Sequence, residues 1–511
     1  MPKPVVRLSK RKKAIFALVT VAAFFVLLEF GLSLAGVQPL FVKRDPFVGF
    51  QPGVPLFVRE GDSFQTNPAK TCYFNLQKFP AKKGANAYRV FCLGGSTTFG
   101  HPYDYRTSFS NWLRERLADA GPDREWEVIN CGGISYASYR VCLLMQELVQ
   151  YQPDLFVVLT GHNEFLEDRT YGELRDRSWL SQAVNSLVVR TRTGSVMASL
   201  MGAASSRPVG EGKLLDAEVD TKLEHSVGPS TYHRDRQRSE QIVAHFRLSL
   251  DRMCAIARSA GARVIFVKPS CNMRGFSPFK SEAGELDAAA AKRWQQTIAE
   301  ARKAKTEGRT SEAVESFLEA AHIDPQYAQG LWEAGDALCA VGRHAEAREF
   351  FVRAVDEDIC PLRATSAIQD AVVEAAQSNR TPWIDFPRLL EDVMPGPAET
   401  HILGDESFLD HVHPTIEGHR LLAWALFEQL AAWNVVATQP SDAAVVQRVS
   451  QKVLAGIDAR AQAKALVQVI QVLIWAGKAG EALQLAEKAE LVCPGLSEVS
   501  CYRGRALEKM G

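Results

Sequence analysis

Two short stretches far apart in the 511-residue chain hold the residue types of nucleophilic acyl transfer. In Phe91-Cys92-Leu93-Gly94-Gly95-Ser96, a serine follows an apolar run and two glycines; in Phe408-Leu409-Asp410-His411-Val412-His413-Pro414, a carboxylate and an imidazole stand three residues apart. A serine hydroxyl attacks efficiently only when a base takes its proton, and a carboxylate fixes the tautomer of that base and stabilises its cation. Asp410 and His413 can meet across one turn, which makes His413 the expected base and Asp410 its orienter. His411 is a rival base, but its adjacency to Asp410 points the two side chains apart in most backbone conformations. Attack on a carbonyl also builds charge on its oxygen, which pre-aimed N–H donors stabilise. Asn163, in Gly161-His162-Asn163-Glu164, and a backbone amide from the turn that begins Cys131-Gly132-Gly133 are the candidate donors.

These residues need a frame, and the chain supplies the pattern of one. Short apolar runs rich in branched residues, at 89–95, 127–130, 154–161 and 262–269, alternate with helical stretches at 109–120, 139–151 and 239–259. Strand alternating with helix implies a parallel sheet covered on both faces. A short strand at 382–386 and a helix at 416–433 are expected to complete it. In such sheets ligands collect at the carboxyl ends of the strands, where Ser96 and Asn163 both fall.

Between 288 and 364 the strand signals vanish and a 34-residue self-similarity takes over: Gly308, Ala313, Phe317 and Ala320 recur as Gly342, Ala347, Phe351 and Ala354. Gly477, Ala482, Ala489 and Pro494 repeat the spacing of Gly308, Ala313, Ala320 and Pro325 near the C-terminus. Small residues at these positions let paired helices approach closely, as in tetratricopeptide hairpins. Because such units bury their faces by stacking, the two blocks are expected to pack together. They offer either a surface for a protein partner or a brace for the main domain.

Lys3, Arg7 and four basic residues at 10–13 precede an apolar run from Ala14 that continues to Val37 past the lone Glu29. A helix of this length crosses a bilayer with its basic end in the cytoplasm, so the rest of the chain is expected outside. Ser33-Leu34-Ala35 also fits a signal-peptidase site, leaving a cleaved secretory signal as the alternative. The expected divisions are a basic tail (1–13), an anchor (14–37), a cap or linker (38–87), a main domain in two parts (88–287 and 365–436), a helical insertion (288–364) and C-terminal repeat-like helices (437–511).

Lysine and arginine balance aspartate and glutamate at 59 each, so no global field draws nucleic acid. The ten cysteines contain no CxxC pair and no zinc-ligand spacing, and no metal or organic cofactor is called for. Cys131 with Cys142, or Cys493 with Cys501, are possible bridges in an exported chain, and spacing leaves both open.

Taken in order, the blocks around Ser96, Gly132, Asn163 and Asp410–His413 resemble the SGNH (GDSL-like) hydrolases. The resemblance implies a three-layer, flavodoxin-like α/β fold with Ser96 as nucleophile, Gly-Ser standing where Asp-Ser is usual. It places Asn163 in the Gly-x-Asn-Asp block, with Glu164 in the last position, and Asp410 and His413 in the closing Asp-x-x-His. The glycine block departs from the pattern, because counting from Asn130 to the usual oxyanion glycine reaches Ser135. The implied oxyanion donors are thus the Ser96 and Ser135 amides and the Asn163 side chain. The implied reaction is ester cleavage through an acyl-serine, with O-acetyl groups on carbohydrate a family-level expectation for the substrate. Transfer of the acyl group to an extracellular polysaccharide is the alternative, and an inactive repeat-bearing scaffold is a third reading.

Overall fold

The computed structural model describes residues 10–37, 39, 49–50, 54–166, 191–197, 214–215, 232–397, 400–437 and 442–510. Lys3, Arg7 and most of the 38–53 segment lie outside them. The chain divides into two compact units, one of residues 1–53 and 169–217 and one of 54–168 and 218–511.

In the first unit, helix α1 (Lys10–Leu34) contains an apolar stretch, Ile15–Leu34, with a mean hydropathy of 2.5 and no buried residue. Glu29 accepts hydrogen bonds from the amides of Arg192 (2.9 Å) and Thr193 (2.7 Å), while Arg192 Nε donates to the Val37 carbonyl at 3.0 Å. Residues Gly49–Phe50 pair in parallel with Leu214–Leu215.

The second unit is built on a parallel sheet of β1 (Ala87–Gly94), β2 (Glu125–Gly132), β3 (Leu155–Leu159), β4 (Arg263–Lys268) and β5 (Trp383–Asp385), ordered β5-β4-β3-β1-β2. Alternate residues of a strand face opposite sides. Val90 and Cys92 join Val157, Leu159, Ile265 and Val267 in one core with helices α2 (Phe109–Ala120) and α10 (Ile416–Ala432). Phe91, Leu93, Phe156, Val158 and Phe266 are equally buried in register with them. Helices α3 (Ser138–Leu148) and α4 (Arg236–Ser259) pack together and present Met145, Phe246, Leu250 and Met253 as buried residues. This is the expected α/β sheet. Among the described residues no disulfide joins any of the ten cysteines.

Residues 54–87 are more ordered than a linker. They form a three-stranded antiparallel sheet, Phe57–Glu60, Ser63–Thr66 and Lys78–Pro80. Buried Arg89 on β1 ties it down, donating to Tyr151 O (2.6 Å) and Pro80 O (2.9 Å) and ion-pairing with Glu127.

The insertion forms α5 (Ala288–Thr306), α6 (Thr310–Ile323), α7 (Ala328–Ala340) and α8 (His344–Asp356), and α9 (Ser366–Ser378) returns the chain to the sheet. Four helices follow the main domain: α11 (Ala443–Leu454), α12 (Ala459–Trp475), α13 (Ala479–Val492) and α14 (Ser497–Met510). Gly308, Gly342 and Gly477 all take φ of 74–77° in the turns that open the second helix of a pair, a conformation glycine adopts without strain. Ala313, Phe317, Ala347, Phe351, Ala482 and Ala489 are all buried, as the repeat pattern requires.

Two expectations are corrected here. The two helical blocks do not build one core: the insertion closes over Ile298, Phe317, Phe351 and Ile402, and α12–α14 close over Phe276, Leu466, Ile470 and Leu485. Neither needs the other because each has a loop of the main domain to cover. Helix α11, expected among the repeat helices, instead gives Val445, Val449 and Val453 to the sheet's core.

Gly94, at the end of β1, has φ of 154°, and a Cβ there would stand 1.9 Å from Leu159 O and 2.4 Å from Thr98 Oγ1. Backbone on one side and a tight turn on the other leave nowhere for it to go. Gly94→Ala is expected to destabilise the protein by about 3 kcal/mol, read as a lowered urea midpoint with unchanged slope.

Candidate active site

The strand order reverses beside β1: β2 lies on one side of it and β3 on the other, so their carboxyl ends flank a crevice. Ser96 stands there because β1 ends at Gly94, turns through Gly95 and enters the one-turn helix Ser96–Phe99. His413 arrives from the far end of the chain on a loop closed by a Phe408–Pro414 bridge and by Leu409 N donating to His413 O at 2.8 Å. Its Nε2 lies 2.8 Å from Ser96 Oγ, and its Nδ1 lies 2.6 Å from Asp410 Oδ2. The other Asp410 oxygen accepts from the amides of Val412 and His413, both at 2.9 Å. A carboxylate so held cannot rotate away from the imidazole. It favours Nδ1–H, leaving Nε2 as an acceptor for the serine proton. His411 Nδ1 is 3.7 Å from Asp410 Oδ1, beyond hydrogen-bond range, and its ring packs against Phe276 and Phe279.

The electrostatics follow from burial. Desolvation by itself raises the Asp410 carboxyl, but nearby His413 and His411 and the bonds from His413 and Val412 outweigh it, leaving the group far below the usual carboxylate range. Burial, reinforced by His413, lowers the imidazole of His101, whose ring centroid lies 4.8 Å from that of His413, to about 3. Burial likewise lowers His162 to about 3 and His411 to about 4. These three rings therefore stay neutral at physiological pH and add no cation to compete for Asp410.

Asn163 and the turn after β2 adjoin the nucleophile turn at Gly95. The Asn163 side chain rests on the nucleophile turn: a Cβ on Gly95 would stand 2.6 Å from its Nδ2, which also donates to Tyr136 O at 3.1 Å. That uses one of its two hydrogens. In the turn after β2, Gly132 N donates to Asn130 Oδ1 (3.1 Å), Gly133 N to Gly94 O (3.0 Å), Ile134 N to Tyr73 O (3.0 Å) and Tyr136 N to Gly133 O (3.1 Å). Gly132 also backs directly onto the helix of Ser96, with space for no Cβ because Phe99 N would lie 2.2 Å away. Among the described residues, the amides of Ser135 and Ser96 have no acceptor. Ser135 takes φ of 62°, the left-handed conformation that favours glycine, which gives a physical reason for glycine being usual at this place.

Glu164 joins these pieces. Its fully buried carboxyl accepts from Ser138 N (2.9 Å) and Ser138 Oγ (2.7 Å), capping α3, whose N-cap residue Ala137 has no side-chain acceptor to offer. The block bearing Asn163 is thereby tied to the turn bearing Ser135.

Two further polar residues settle elsewhere. Lys280 bonds Tyr232 O and lies 3.2 Å from Glu282; His419 is buried and accepts from Phe109 N at 3.3 Å. Asn272 carried no sequence signal, yet its Nδ2 donates to Asp410 O at 3.2 Å and to Asp405 Oδ1 at 2.8 Å. A groove of about 470 Å³ runs along β2, lined by Gln77, Tyr105, Trp126 and Glu127, and none of Ser96, Asp410 or His413 borders it.

Residues 92–307 match the profile of the GDSL-like lipase/acylhydrolase family. The chain therefore contains a GDSL-like lipase/acylhydrolase domain. The GDSL-like domain makes it an ester-hydrolysing enzyme, and the profile runs from β1 into the helical insertion. No curated protein matches the chain. Among solved structures, it is similar to a catalytic mutant of the acetylxylan esterase Axe2 from Geobacillus stearothermophilus at 9% identity, over 68% of this chain and 96% of that one, with a TM-score of 0.30. It is also similar to a GDSL-like lipase from Bacteroides thetaiotaomicron at 12% identity, over 68% and 88%, with a TM-score of 0.28.

Burial raises the Glu164 carboxyl from 4.5 to about 7, against the opposing Ser138 bonds and His245. The folded state thus favours the protonated form. Its contribution to stability is complete below pH 4.5 and is lost as pH rises toward 7, where the folded group ionises too. The stability of wild type relative to Glu164→Gln, which cannot titrate, is expected to fall by about 3 kcal/mol across that window in urea titrations.

Proposed function

We propose that this GDSL-like enzyme is an exported serine esterase, held at the membrane by its N-terminal helix, in which Ser96 attacks the ester carbonyl, His413 takes the serine proton and Asp410 orients His413. The observation that carries the reading is the unbroken line of hydrogen bonds Ser96 Oγ–His413–Asp410, at 2.8 and 2.6 Å. In the first step a Ser96 Oγ–carbon bond forms and the proton passes to His413 Nε2. The tetrahedral oxyanion lies toward the Asn163 side chain and the Ser96 and Ser135 amides. Collapse expels the alcohol with the proton from His413, and a water activated by the same base then cleaves the acyl-serine. The site needs no metal for this. O-acetyl groups on carbohydrate are the substrate class we assign.

Retention of the N-terminal helix is supported by Glu29 and Val37, which bond Arg192 and Thr193. Cleavage after Ala35 would remove Glu29 and leave two amides without their acceptor. The mature protein is expected to keep residues 1–37 by intact mass and to leave membranes only with detergent.

A fluorophosphonate probe should label the wild-type chain on Ser96. Labelling is expected to vanish in Ser96→Ala and His413→Ala, and its complete absence in wild type would defeat the proposal. Asn163→Ala is expected to lower kcat about 10²- to 10³-fold, the usual cost of one oxyanion donor.

A further inference from the structure

We infer that the C-terminal helical block is a structural wall of the active site, and that Lys488 is a positioning residue for the loop carrying Asp410 and His413. The inference rests on the triad proposed above. Three observations converge on it.

The core of α12–α14 is not self-contained. It takes in buried Phe276 from the main domain, and Tyr103, Phe279 and Leu409 pack against it. Leu409 precedes Asp410, Tyr103 follows His101 by two residues, and Phe276 and Phe279 both pack against the ring of His411, at centroid distances of 5.3 and 5.0 Å. Three loops that surround His413 are thus embedded in one helical core.

Two lysines, Lys478 buried and Lys488 half-buried, fasten them. Lys478, at the turn into α13, donates to Ser277 Oγ at 2.7 Å and to the Pro278 carbonyl, and stands 5.6 and 5.7 Å from the Phe276 and Phe279 rings. Lys488, on α13, reaches across to the carbonyls of Asp405 (2.9 Å) and Phe408 (3.0 Å). Those carbonyls belong to the turn and bridge residue of the arm that enters the Asp410 loop. The arm is held from the other side by Asn272, which bonds Asp405 Oδ1 and Asp410 O.

One ammonium on two carbonyls is a strong link, because charge-assisted bonds exceed neutral ones and a freed buried carbonyl is costly. Its removal lets the arm drift, and the serine–imidazole distance drifts with it. The helices therefore act on the chemistry through the arm, without touching substrate.

The test compares wild type, Lys488→Met and Lys488→Arg as full-length chains, by steady-state kinetics on an acetyl ester and by amide hydrogen exchange. In Lys488→Met, kcat is expected to fall about 10- to 100-fold with KM within about twofold, the mark of misplaced catalytic groups. Exchange of the 405–413 peptide is expected to rise at least about fivefold while α12 and the β1–β4 strands keep wild-type protection. Lys488→Arg, which can also donate to both carbonyls, is expected to recover most of kcat. Wild-type exchange at 405–413 in Lys488→Met overturns the inference, as does wild-type kcat in the same variant or exchange that rises throughout the protein. Because loop exchange does not depend on the nucleophile, failure of the probe to label wild type would defeat the esterase reading and still leave the clamp to be judged.

Discussion

The hydrogen bond between Ser96 Oγ and His413 Nε2 joins residues 317 apart in the chain, and much of the architecture serves to hold its two ends. At the first end, the close fit of Gly94 against Leu159 and Thr98 fixes where β1 stops and where the serine helix begins. At the second, a short bridged loop carries Asp410 and His413 together, so that the carboxylate and imidazole move as one body. A hydrogen bond of this kind weakens steeply with misalignment, so small errors at either end matter. That is a reason for so many contacts converging on a loop of a dozen residues.

The polar groups around the bond form a buried set with few charges. His101, His162 and His411 are kept neutral by burial, while Asp410 is kept ionised by its bond to His413 and its backbone donors. Opposite outcomes from the same burial show which effect wins: desolvation rules where no countercharge or donor answers it. Glu164 is intermediate, because its Ser138 bonds offset only part of the desolvation. It caps a helix and spans two donor-bearing loops in a place where the family's block has the shorter aspartate.

The local chemistry of the site was legible because it is encoded locally. Asp410 and His413 are three residues apart, Gly94-Gly95-Ser96 closes a strand run, and Asn163 follows another; each reads from neighbours alone. The repeat spacing was legible for the same reason, since Gly308, Gly342 and Gly477 mark turns that only a few neighbouring residues define. Asn272, Lys478 and Lys488 gave no such signal. An asparagine after a strand or a lysine on an amphipathic helix looks like any solvated residue until its partner, tens to hundreds of positions away, is brought beside it.

By itself, then, the sequence determined the alternation of strand and helix, the strand ends that present the candidate nucleophile and donors, and an apolar N-terminal helix. These follow from periodicity and from residue types at turns, which are short-range properties. Only the tertiary structure decided that His413 rather than His411 faces Ser96, that Ser135 has the free amide in its turn, and that the two helical blocks pack on main-domain loops instead of on each other. Each of those depends on which surfaces meet, and packing of distant segments is set by shape and desolvation over the whole core, which no local pattern records.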